Sequence, residues 1–132
     1  MTVVIKSLDD VSDRYDALFV DLWGCVHNGV KAYKSANDSL KKYRAKGGKV
    51  VLVTNSPRPR SGVEKQLIKF GVDPEAWDLI ATSGDSARMA MFQGVVGNKI
   101  YFIGTPYEEN FFEPLNVVKN PVNIERVPID EA

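Results

Sequence analysis

The 132-residue sequence has one cysteine, one histidine, no excess of either charge sign and no long uninterrupted apolar run. Each shortage excludes something. A lone Cys25 cannot close an internal disulfide, and the opening MTVVIKSLDD lacks the charged-then-apolar order of a secretion signal, so a cytoplasmic location is expected. No segment approaches the roughly 18 consecutive apolar residues that a spanning helix needs. Seventeen basic side chains stand against seventeen acidic ones. Without a net field, neither nucleic acid nor an anionic membrane is drawn in, and a small-molecule partner is expected instead. There is no internal repeat and no low-complexity segment. What is present is 44% hydrophobic residues, enough for the core of one ordinary globular domain.

The order of elements is the next signal. Ala17 to Val20 is apolar on both alternating faces and ends at Asp21, which suits a buried strand of a parallel sheet. Ala36, Leu40 and Tyr43 recur at helical spacing, with Ser35 as the expected cap and Gly47-Gly48 as the stop. Lys49 to Val53 is a second strand, halting at Thr54-Asn55, and Pro57 and Pro59 keep the following stretch in a loop. Ser61 and Glu64 have capping-box spacing ahead of a helix carrying Val63, Leu67 and Phe70, closed by Gly71. Leu79 to Ala81 is a third strand, followed by a helix with Ala87, Ala90 and Met91.

This βαβαβα order predicts a doubly wound, Rossmann-like parallel α/β sheet, whose ligands bind beyond the carboxyl ends of the strands. Asp21, Thr54, Asn55 and Ser83 all fall there. From Lys99 a further βα unit is expected, with a strand through Gly104 and a helix beginning at Thr105-Pro106-Tyr107-Glu108. Two short β-branched runs follow, around Val117-Val118 and from Ile124 to Val127.

Asp21 opens DLWGCVHNG, in which Gly24 and Gly29 let the backbone turn tightly beside a ligand. A carboxylate on a rigid strand end beside such a turn can attack a phosphoryl centre and form an aspartyl-phosphate. Thr54 and Asn55, at the end of the neighbouring strand, can donate hydrogen bonds to the transferring oxygens.

LFVDLWG, then VVLVTNS, a helix ending KFGV and a strand ending IATSGDSA together resemble the haloacid dehalogenase superfamily, and within it the nitrophenylphosphatase-like class with an α/β cap after the third core strand. The resemblance implies Asp21 as nucleophile, Mg2+ held by Asp21 and the Trp23 carbonyl, Thr54 with Asn55 around the phosphate, and a small phosphorylated metabolite as substrate. Gly24, from the tight turn after Asp21, is expected at the phosphate as well. It also implies residues 1–82 as the N-terminal part of the core and residues 83–132 as the first part of a cap. Two departures stand out. The family's second aspartate, a general acid, is here Trp23, so proton donation falls to His27 or the leaving group needs no acid, as in the superfamily's dehalogenases. The family's later lysine and acidic pair have no counterpart, so a truncated, inactive or weakly active fragment is expected, with a non-catalytic binding module as the rival. Unpaired strand edges in an incomplete core predict self-association, for instance as a homodimer.

Overall fold

The computed structural model describes residues 2–105 and 110–132. Its elements are α1 (Asp9–Ser12), β1 (Ala17–Asp21), α2 (Lys34–Ala45), β2 (Lys49–Thr54), α3 (Arg60–Phe70), a 3-10 turn (Pro74–Ala76), β3 (Leu79–Thr82), α4 (Ser83–Phe92), β4 (Lys99–Ile100) and β5 (Glu125–Arg126). The chain divides into two compact units, residues 1–54 with 62–81, and residues 55–61 with 82–132.

In the first unit the strands lie in the order β1-β2-β3, and β1 pairs with β2 in parallel from Ala17↔Lys49 to Asp21↔Val53. This is the parallel α/β sheet that the element order predicts. Leu40 and Tyr43 from α2, Val63 and Leu67 from α3, and Val50 and Leu52 from β2 share one buried cluster with Val26 and Val72. Both helices therefore cover the same sheet face. Burying each such side chain contributes about 1.5–3 kcal/mol.

The opposite face differs from expectation. Burial along β1 alternates, Phe19 is 78% exposed, and Val53 and Leu79 are also exposed. An apolar strand needs cover on both faces to be buried on both, and among the described residues of this unit only one face has it.

Local expectations hold where chain geometry decides and fail where a distant partner does. Gly47, at φ 97°, ends α2, and Gly48 lies so close to the Tyr43 ring that a β-carbon there would sit 2.3 Å from it. Ser35, however, is not the cap of α2. The chain enters at Tyr33, whose N–H donates to the Val26 carbonyl at 2.8 Å, and the helix starts at Lys34 with no side-chain cap. Ser61 is likewise inside the first turn of α3, and the Arg60 N–H donates to the Asp85 carboxylate at 3.3 Å.

The second unit is built around α4. Thr82 caps it, its hydroxyl accepting from the Asp85 N–H at 2.9 Å, and Gly84 packs so tightly that a β-carbon would lie 2.1 Å from the Pro57 carbonyl oxygen. Arg88 is buried and bridges Asp85 at 2.9 Å and the carbonyls of Phe111 and Glu113. The strand expected through Gly104 stops at Ile100, because its parallel partner β5 has two residues and the ladder closes with Val127 N–H to Ile100 carbonyl, just before Pro128, which has no N–H. Val117-Val118 forms no strand; the Val118 N–H turns back to the Leu115 carbonyl. The helix start expected at Thr105 to Glu108 runs into residues outside the described ones. Phe102, Phe111 and Phe112 are in ring contact, with the Arg126 guanidinium over Phe102 and Phe112.

One ion pair ties α2 to the entry of β3. Asp78 accepts from the Val50 N–H at 2.8 Å and from Arg44 Nε and Nη2 at 2.9 and 3.0 Å. These bonds hold its carboxyl at about 2, below the ordinary 3.8. A depressed carboxylate contributes stability that is complete above about 3.8 and is lost as pH falls through about 2. Asp78→Asn should therefore cost about 1–3 kcal/mol at neutral pH and flatten the acid limb of the stability curve. Urea unfolding measured from pH 7 to pH 2 checks this, and superimposable curves for variant and parent would contradict it.

Candidate active site

The carboxyl ends of β1 and β2 bring Asp21 and Thr54 to the same edge of the sheet, Asp21 pairing with Val53 one residue before Thr54. Asp21 is exposed, and its Oδ1 accepts from the Leu22 N–H at 2.8 Å. Thr54 is half-buried and engaged in an interaction of its own. Asn55, exposed, is the next residue of the chain and opens the second unit. A largely apolar groove of about 500 Å³ lies at β1, lined by Leu18, Phe19, Asp21 and Cys25 together with Leu40 of α2.

The segment after Asp21 is held by its own backbone. The Leu22 carbonyl accepts from the N–H groups of Cys25, Val26 and His27, and the Gly24 N–H donates to the His27 carbonyl at 2.8 Å. Gly24, at φ 79°, has nothing within 4 Å of where a β-carbon would lie, so its bare backbone borders open space while its amide is already bonded. The Asn28 side chain closes the far end, accepting from the Val30 and Lys31 N–H groups at 3.0 and 2.9 Å.

His27 is 4% exposed and sits between the rings of Phe70, at 5.0 Å, and Trp23, at 5.9 Å. Its Nδ1 accepts from the Gly29 N–H at 3.0 Å, so the neutral ring carries its proton on Nε2. Burial lowers its pKa below 6.5, and the nearby charge of Asp21 opposes that shift without cancelling it. Trp23 is 68% exposed, with its benzo ring over Gly29. A β-carbon at Gly29, itself at φ 85°, would lie 2.3 Å from that ring. Cys25 is exposed. Among the described residues no group of three or more His, Cys, Asp or Glu side chains is gathered as a metal site, and no helix is long and apolar enough to cross a membrane.

Residues 18–117 match the family model of haloacid dehalogenase-like hydrolases. A crystal structure of a haloacid dehalogenase-like hydrolase from Brucella suis 1330 is similar at 39% identity with a TM-score of 0.82, over 98% of this chain and 46% of that one. The chain belongs to the haloacid dehalogenase-like hydrolases. It spans less than half the length of that solved relative. No curated protein matches it.

In this chain the residues singled out in the sequence divide by unit. Asp21, Trp23, Gly24, His27 and Thr54 lie in the first, and Asn55 begins the second. One support of the loop has no sequence signal. Phe70 packs on His27 and accepts the Ala32 N–H through its carbonyl at 2.8 Å, and it reaches the loop from the end of α3. Gly29 was legible as a turn glycine, whereas its place under Trp23 was not.

The seat of His27 predicts its titration. A folded state that resists protonating this ring binds fewer protons than the unfolded chain, so this group's contribution to stability falls as pH drops below 6.5. Its imidazole resonances in NMR should titrate below 6.5, and Asp21→Asn, which removes the opposing charge, should lower the midpoint further. A midpoint that rises in Asp21→Asn would contradict this geometry.

Proposed function

We propose that the protein carrying this chain is a phosphatase, hydrolysing a small phosphate ester with Mg2+ through an aspartyl-phosphate on Asp21. The observation that carries it is an exposed carboxylate at a parallel strand's carboxyl end, one oxygen fixed by the Leu22 N–H, with Thr54 ending the adjacent strand. An Asp21 oxygen attacks phosphorus, the bond to the ester oxygen breaks, and its electron pair leaves with that oxygen. Water then hydrolyses the acyl phosphate, releasing phosphate and restoring the carboxylate. Thr54 and Asn55 donate to the phosphoryl oxygens, and the open backbone at Gly24 leaves them room.

Asp21 and the Trp23 carbonyl are oxygen donors of the kind Mg2+ takes, and the hydrogen bonds of this turn use the carbonyls of Leu22 and His27 instead. A bound ion would offset the charge of the phosphoryl group. Among the described residues no group of three or more His, Cys, Asp or Glu side chains gathers around Asp21 and the Trp23 carbonyl, which favours little or no activity in the chain alone. Residues 1–82 then serve as part of the core and residues 83–132 as the first part of a cap. His27, neutral and seated under the loop, acts as a positioning residue.

Trp23 favours a second reading. An indole donates no useful proton, and a substrate releasing halide needs none. In the full-length protein, phosphate release should require Mg2+, stop with EDTA, and fall at least 10³-fold in Asp21→Asn. Halide release without phosphate release selects the second reading, and an Asp21→Asn variant with unchanged turnover rejects both.

A further inference from the structure

Asn55 is exposed, so no packing of its own fixes it, and its place follows from the backbone of the segment that carries it. That segment, residues 55–61, belongs to the second unit together with α4, which holds it at two points. The first is Gly84. Its N–H donates to the Ser56 carbonyl at 3.1 Å, and a β-carbon on it would lie 2.1 Å from the Pro57 carbonyl oxygen and 2.6 Å from that of Arg58. Gly84 lies in the first turn of a helix, where alanine is the better helix former, so its use here is the close approach of two backbones. The second point is Asp85, whose carboxylate accepts from the Arg60 N–H at 3.3 Å. Asp85 is itself held, by Arg88 on its carboxylate at 2.9 Å and by the Thr82 hydroxyl on its N–H at 2.9 Å.

We propose that Gly84 and Asp85 are positioning residues for the reaction, fixing the backbone of residues 56–60 and with it the place from which Asn55 donates to the phosphoryl group. A donor stabilises developing charge best when it is held in place beforehand, because a mobile one must be ordered at the moment of reaction. An exposed amide on a loop meets that condition only if the loop is anchored beyond it. The end of β2 at Thr54 fixes one side of Asn55, and the contacts of Gly84 and Asp85 fix the other. Both residues act through the loop and not on the substrate. The inference rests on the phosphatase reading of Asp21 with Asn55 as a phosphate donor.

The test uses the full-length protein with orthovanadate as inhibitor and acetyl phosphate as substrate, whose acetate leaves without a proton donor. Gly84→Ala should weaken vanadate inhibition and lower kcat on the order of ten- to a hundredfold, with KM changed less, as for the loss of one hydrogen bond to a charged group. Asn55→Ala should do the same, and the double variant should be no worse than either single one, since both act on one donor. Should Gly84→Ala fail to fold, Asp85→Asn carries the test. Its amide keeps one acceptor for Arg88 and turns an NH2 toward the Arg60 N–H, so a loss in the same direction is expected, again only while Asn55 is present. Parent-like kcat and vanadate inhibition in the folded variant, an Asn55→Ala variant as active as the parent, or losses that multiply in the double variant overturn the positioning role while hydrolysis continues. A parent that releases no phosphate, or an Asp21→Asn variant that releases as much, overturns the phosphatase reading and the inference with it.

Discussion

The parallel pairing of β1 with β2 is the constraint on which the first unit rests. Its register, Asp21 opposite Val53, ends both strands at one edge and so puts the carboxylate of one chain segment beside the hydroxyl of another. A shift of β1 by one residue against β2 would turn Leu18 and Val20 away from the helices, so the same apolar alternation that builds the core also sets the place of Asp21. Position at the site is thereby paid by the core.

From that strand end the backbone takes over. The Leu22 carbonyl gathers three N–H groups, His27 drops into the space between Trp23 and Phe70, and Gly29 allows the chain to pass beneath the indole. The consequence is a loop whose polar groups are mostly satisfied internally. What it leaves facing outward is an Asp21 carboxylate, an uncovered Gly24 backbone and the open side of Trp23. The exposed Phe19 face and the groove beside β1 belong to the same unit and have no cover among the described residues.

Where helices and strands fall was largely legible, because periodicity and glycine or proline punctuation are properties of neighbouring residues. Gly47 and Gly71 stop α2 and α3 through positive φ, as their positions in the chain suggest. Helix starts were less legible. Ser35 and Ser61 have the right chemistry for caps, but α2 begins at Lys34 and α3 at Arg60, two residues earlier than those caps imply, where the Tyr33 N–H bonds to Val26 and the Arg60 N–H to Asp85. The extent of β4 was set in the same way, by the length of β5 and the proline after it.

The sequence by itself determined the family, the parallel α/β order and the placing of Asp21 and Thr54 at strand ends, since each follows from local pattern and strand register. Tertiary structure alone decided that one face of β1 is bare, that His27 is a buried neutral acceptor and that Trp23 lies open above Gly29. Burial depends on which other segments arrive to cover a surface, and no local pattern in a chain records that.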